Sequence, residues 1–346
     1  MKYLYAILAA FFFGISAPLS KILLKEIHPF MLASLCYLGS GMGLSLYVVL
    51  RKGEGKKEAS LESKDLPYVS GFILAGGVLA PVFLFKGLAL TSASSASMLL
   101  NFELVFTSFL AFLFFKEHIG VRFAFSALLV VFSSVILSFD ADVKAFAMEK
   151  GMIFIIIASL MWGVDNNLTA MVSSKNPAVL ASIKGFAGGA INLFLAVYAG
   201  ETVPETEFII LGLALGALSY GASLIFFIYS LRGIGAARTS AVFGIYPFIG
   251  AFFSFVILRE AFGFQFLIAA AFMAAGVFLI LIEKHLHGHY HEKLTHDHSH
   301  VHDEHHIHEH GPEISEGMPA HSHQHAHETM EHSHPHLPDI HHKHKH

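Results

Sequence analysis

The stretch HPFMLASL, residues 28–35, has an echo in NPAVLASI, residues 176–183. Each sets a polar residue before a proline and then opens a long apolar run. Pro29 and Pro177 lie 15 and 14 residues beyond a glycine in the preceding apolar run, Gly14 and Gly163. The correspondence continues outward. LFFKE (113–117) matches VILRE (256–260), and in the same register TSASSAS (91–97) lies over IGAARTS (234–240). Matching spacing at three separate places defines an internal repeat, residues 1–140 against 148–284, followed by an extension at 285–346.

What repeats is a membrane unit. The chain has 346 residues, of which 54% are hydrophobic and 14% charged, against about 25% charged in a soluble domain. Mean hydropathy is +0.60. A bilayer core about 30 Å thick takes roughly 20 apolar residues per helix. Such runs fall near 3–22, 30–50, 68–90, 93–115, 122–139, 151–171, 178–199, 208–231, 236–257 and 263–283. The first run is long, begins after Lys2 and lacks a cleavage pattern, so it reads as a helix and not a signal peptide. The expected fold is an all-α polytopic membrane protein of about ten transmembrane helices. Five per repeat is an odd number, so the halves must sit in opposite orientations. Inverted repeats of this kind are a transporter architecture.

Charge sets the expected orientation. With ten spans both termini share a side, and that side collects Lys2, Arg51, Lys52, Lys56, Lys57, Lys64, Lys116, Arg122, Lys175, Arg232, Arg238 and Lys284. The loop at 200–207 on the other side is purely acidic. Both termini are therefore expected in the cytoplasm and the protein in the cytoplasmic (inner or plasma) membrane. A formal charge of −4 gives no reason to expect nucleic acid, and the single cysteine, Cys36, excludes an internal disulfide or a cysteine zinc cluster.

Polar groups within the spans are costly and therefore few. Glu103 lies mid-span beside Asn101, either as a substrate or proton site or as a structural carboxylate. WGVDNN (162–167) sets Asp165, Asn166 and Asn167 deep in the sixth run. At 100° per residue they cannot all face lipid. Asp165 and Lys184 lie eleven residues before and eight after the turn at Asn176, so their depths differ by roughly 4–5 Å and an ion pair is within reach. Trp162, the only tryptophan, adjoins this triplet. Pro18, Pro81 and Pro247 should break helices. The stretches GSGMG, TSASSAS and GAARTSA favour close helix contact. Neither a P-loop nor a nucleophile elbow is present, and no enzymatic activity is expected.

LLNFELVFTSFLAFLFFKE (99–117) and GIYPFIGAFFSFVILRE (244–260) resemble the fourth helix of each half in the EamA branch of the drug/metabolite transporter superfamily. That helix carries a Glu-Pro-Val-Phe-like stretch and ends in glutamate. The first half keeps Glu103 and Glu117 but has Leu104 in place of proline. The second keeps Pro247 and Glu260 but has Tyr246 in place of glutamate. The resemblance covers about residues 4–283. It implies a five-plus-five inverted repeat and movement of small organic solutes, often outward.

The extension holds 23 of the 25 histidines, among them His285, His287, His289, His291, His296, His298, His300, His302, His321, His323, His325, His327, His332, His334 and His336. With almost nothing apolar it should be disordered in the absence of a ligand. Neutral imidazoles at alternate positions suit zinc, nickel or copper. No cofactor is required. The expected partners are the bilayer, a small solute and a divalent metal at the tail, with a homodimer left open. The favoured function is a secondary active transporter, an exporter of a small metabolite, regulated by the metal-binding tail. A Zn, Ni or Co transporter fed by the tail and a non-transporting membrane metal sensor are the alternatives.

Overall fold

The computed structural model describes residues 2–50, 61–115, 121–137, 139–140, 145–146, 150–172, 175–234, 236–261 and 263–281, and within the tail 288–291, 294–300, 321–327 and 330–333. Ten helical spans follow one another: α1 (Tyr3–Leu23), α2 (Pro29–Leu50), α3 (Ser63–Leu90), α4 (Ala93–Phe115), α6 (Lys150–Ala170), α7 (Pro177–Tyr198) and α8 (Thr206–Ile234), with α5 (Val121–Leu137) and α10 (Phe264–Leu281). The span α9 comes in two pieces, Ala236–Phe243 and Tyr246–Leu258. Seven of them are long and apolar enough to cross a bilayer by themselves, and the other three include shorter apolar helices.

The packing obeys the repeat. The helices opened by the two quoted motifs, α2 and α7, pack on each other, as do α4 on α9 and α5 on α10. Further contacts come in equivalent pairs, α3 with α6 matching α8 with α1, and α2 with α8 matching α7 with α3. That pattern is an approximate two-fold axis between the halves, so the structure is two inverted five-helix repeats. At the α2–α7 crossing Gly41 meets Gly185, where an added Cβ would stand 2.7 Å from the opposing backbone. Small residues let membrane helices approach this closely.

Local sequence explains the ends and the breaks. In NPAVLASI, Asn176 caps α7, its Oδ1 accepting from the amides of Ala178 (2.9 Å) and Val179 (3.1 Å). In HPFMLASL the cap comes from the other half: the Glu201 carboxylate accepts from the amides of Phe30 (3.2 Å) and Met31 (2.8 Å). Proline cannot donate to the carbonyl four residues back. Accordingly α1 is interrupted after Gly14, four residues before Pro18, and α9 after Phe243, four before Pro247. Pro81 likewise frees the carbonyl of Gly77, which accepts from Asn192 Nδ2 at 3.0 Å.

Two widened π-type turns, Ile73–Leu79 in α3 and Gly216–Ala222 in α8, occupy equivalent places in the two halves. Such turns leave carbonyls without their usual partner. In α3 the Gly76 carbonyl is taken by the Tyr37 hydroxyl. The tail adds no described helix. Its described backbone is extended, with Gly288–His291 antiparallel to Met330–Ser333 and Leu294–His300 antiparallel to His321–His327.

Candidate functional site

The centre of the bundle is built where α4 and α9 break. In α4 the break falls at Leu100–Asn101 without a proline. The side-chain amide of Asn101 donates to the Met98 carbonyl at 3.0 Å, in place of a continued helix. The second piece of α4 starts at Phe102, so Glu103 sits in its first turn. In α9 the second piece starts at Tyr246. The motif alignment makes Glu103 and Tyr246 equivalent positions, and the structure joins them: the Tyr246 hydroxyl donates to Glu103 Oε2 at 3.1 Å. Glu103 Oε1 accepts from Asn166 Nδ2 at 2.9 Å. Asn166 also reaches Thr107 Oγ1 at 3.1 Å. Glu103 is half-buried and Asn166 is exposed.

The second charged group lies nearby. Lys184 Nζ is 2.7 Å from Asp165 Oδ2, and Thr169 Oγ1 donates to Oδ1 at 3.2 Å. The ion pair that the depths of α6 and α7 put within reach is formed. The Asp165 carboxylate rests directly on Gly76, where a Cβ would stand 2.1 Å from Oδ2. Glycine is required there because the widened turn of α3 brings its backbone against a carboxylate.

Aromatic rings connect these groups. Phe13 makes edge contacts with Tyr246 (4.7 Å between centroids, 87°), Tyr220 (5.5 Å, 82°) and Trp162 (6.4 Å, 63°). Tyr220 lies 5.8 Å from Tyr37, and Phe243 5.1 Å from Tyr246. The rings come from α1, α2, α6, α8 and α9. Their single-letter spacing carried no signal, since 34 phenylalanines are spread along the chain; only the breaks and widened turns bring these rings together.

The sequence candidates divide as follows. Glu103, Asn166, Tyr246 and Trp162 share the central site, and Asp165 and Lys184 form its neighbouring pair. Asn167 turns away into packing, its Nδ2 donating to the carbonyls of Gly163 (2.8 Å) and Thr107 (3.0 Å). Asn101 is 1% exposed and its Oδ1 has no hydrogen-bond partner. Glu117 lies outside the described residues, as do the side chains of the tail histidines. Among the described residues no three His, Cys, Asp or Glu side chains gather into a metal site.

Away from the centre, the helix ends are tied. On the face where α2 and α4 begin, Glu201 caps α2, and Glu260 accepts from the amides of Ala93 (2.6 Å) and Ser94 (2.9 Å) at the start of α4. Lys21 donates to the carbonyls of Leu88 and Thr91 at the end of α3. On the opposite face Lys175 pairs with Asp65 at 3.1 Å and Glu62 at 3.6 Å. The Lys64 ammonium, 2.9 Å from Glu62, holds that carboxyl below its ordinary value.

The EamA-like transporter family matches this chain twice, at residues 1–139 and 149–282. The chain belongs to that family. An "Uncharacterized transporter" of Methanothermobacter thermautotrophicus is 30% identical over 294 residues, covering 80% of this chain and 85% of that one. A second, from Archaeoglobus fulgidus, is 26% identical over 273 residues, covering 77% of this chain and 92% of its own. A crystal structure titled only "Crystal structure of protein" superposes with a TM-score of 0.54 at 19% identity, over 78% of this chain and 95% of that one; it supports the fold alone. This EamA-family chain is thus a multi-pass membrane transporter, with the bilayer and a small solute as its partners.

Proposed function

We propose that the protein is a secondary active transporter that exports a small metabolite across the cytoplasmic membrane by alternating access, with both termini in the cytoplasm. The observation that carries this reading is the Glu103–Tyr246 hydrogen bond, 3.1 Å, between equivalent positions of the two inverted halves. A group on the axis relating the halves is offered to either face by rocking one half against the other. Glu103 binds solute or carries the coupling proton. Asn166 and Tyr246 orient it, and the Asp165–Lys184 pair holds α6 against α7 beside it. The histidine tail binds a divalent metal and adjusts transport from the cytoplasmic side. The central groups described are carboxylates, amides and hydroxyls without a histidine, which favours an organic solute over a metal handed on from the tail.

The test is exchange in proteoliposomes carrying the full chain. Labelled amines, amino acids and sugars are supplied outside, each with and without the same unlabelled compound inside. Alternating access gives faster entry of at least one compound when it is also present inside. Absence of such acceleration for every compound that enters would mark a channel and overturn the reading.

A further inference from the structure

Among the described residues Glu103 is the carboxylate of this site without an ion-pair partner. Asp165 has Lys184 at 2.7 Å. Glu103 accepts only from neutral donors, Asn166 Nδ2 and Tyr246 OH, and among the described residues it takes part in no ion pair. Helix ends do not cancel it. At the breaks of α4 and α9 the carbonyl end of one piece stands two residues from the amide end of the next, so their opposite partial charges largely offset each other.

The walls beside Glu103 have the same electrostatic preference. Three rings stand at steep angles to Phe13, at 87°, 82° and 63°, as a box and not as a stack. Aromatic faces carry negative potential and attract ammonium groups placed over them. Phe13, Tyr220 and Phe243 are each only half-buried, so part of their ring surface is not covered by the protein. A carboxylate set in an aromatic box repels anions and gives a neutral sugar few groups to bond. It suits one positive charge on an apolar or aromatic body.

Resting on the transporter reading above, we propose that the solute is an organic monocation whose ammonium group sits at Glu103, among the rings of Phe13, Trp162, Tyr220 and Tyr246. The alkyl or aryl remainder extends along the same rings toward Tyr37.

Trp162, the only tryptophan in the chain, reports on this box without a label. The purified full chain is titrated with phenethylammonium, benzyltrimethylammonium, phenylacetate and benzyl alcohol while its tryptophan emission is followed. The proposal expects a saturable change with the two cations and none with the anion or the alcohol. It expects at least tenfold weaker cation binding in Glu103→Gln. Equal responses to phenylacetate or benzyl alcohol overturn it, as does no response to either cation. If Glu103→Gln fails to fold, the selectivity of the unaltered chain among the four compounds still decides. The exchange assay separates the two ideas. A cation that binds but shows no accelerated exchange leaves this inference standing and sinks the transporter mechanism. Accelerated exchange confined to neutral or anionic compounds does the reverse.

Discussion

Glu103 and Tyr246 occupy the same position in the two halves of the repeat, and they are hydrogen-bonded to each other at 3.1 Å. A symmetric pair of carboxylates on the axis would repel. A phenol in one half leaves a single charge and gives it a donor. The two halves thus differ at the position where their symmetry brings them into contact, and this pair holds one acid instead of two.

Tyr246→Phe removes that donor and keeps the ring. A hydrogen bond to a charged group contributes about 1.5–3 kcal/mol, so solute affinity or flux should fall roughly ten- to a hundredfold while the amount of folded protein is unchanged. Flux in proteoliposomes normalised to reconstituted protein measures it. A rate within twofold of the parent would mean the hydroxyl is idle.

The Asp165–Lys184 pair predicts a non-additive stability cycle. Asp165 is 4% exposed, and removing one partner of a buried pair costs about 3–5 kcal/mol because the other charge is stranded. Asp165→Asn and Lys184→Met should each lower the unfolding temperature in detergent sharply. The double variant should recover much of the loss. Purely additive losses would show that the charges are not compensating each other.

Gly76→Ala places a methyl where Asp165 Oδ2 already stands, 2.1 Å from the ideal Cβ. Either α3 or α6 must shift, so the variant should lose stability well beyond the roughly 1 kcal/mol gain that Gly→Ala gives in an ordinary helix. Thermal unfolding followed by size-exclusion decides, and a variant as stable as the parent would contradict the contact.

Glu260→Gln weakens the charged cap on the start of α4, where the carboxylate holds the amides of Ala93 and Ser94. Caps and charge–dipole contacts of this kind contribute about 1–2 kcal/mol. The unfolding temperature should drop by a few degrees, with the response of Trp162 emission to solute unchanged. An altered solute response at constant stability would move Glu260 from a cap to a part of the transport cycle.

The tail predicts zinc binding by the full chain that weakens as pH falls. Imidazole coordinates only when deprotonated, with an ordinary pKa of about 6.5. Calorimetric titration at neutral pH should therefore show several sites, and most should be lost about one unit below that value. Binding that persists undiminished in acid would point to ligands other than histidine.

The helices and their inverted pairing were legible in the sequence because lipid imposes both. Apolar length gave the spans, and the HPFMLASL and NPAVLASI motifs gave the halves. Helical rise put Asp165 and Lys184 within reach of each other, and the structure pairs them. The aromatic box was not legible, since its rings come from five helices and include Phe13 and Tyr246 beside the breaks of α1 and α9 and Tyr220 in the widened turn of α8. Nor were the widened turns at Ile73–Leu79 and Gly216–Ala222, which no residue spacing announces. Asn167 was grouped with Asn166 because the two are adjacent, yet 100° of helical rotation sends one to Glu103 and the other into the α4–α6 packing.

The most direct measurement is exchange of a labelled organic cation, phenethylammonium, in proteoliposomes carrying the parent chain or Glu103→Gln, matched for folded protein. The expected result is exchange by the parent, accelerated by unlabelled cation on the far side, and a rate at least tenfold lower in the variant. Parent-like exchange by Glu103→Gln would contradict the assignment of the carboxylate on the axis as the transport site.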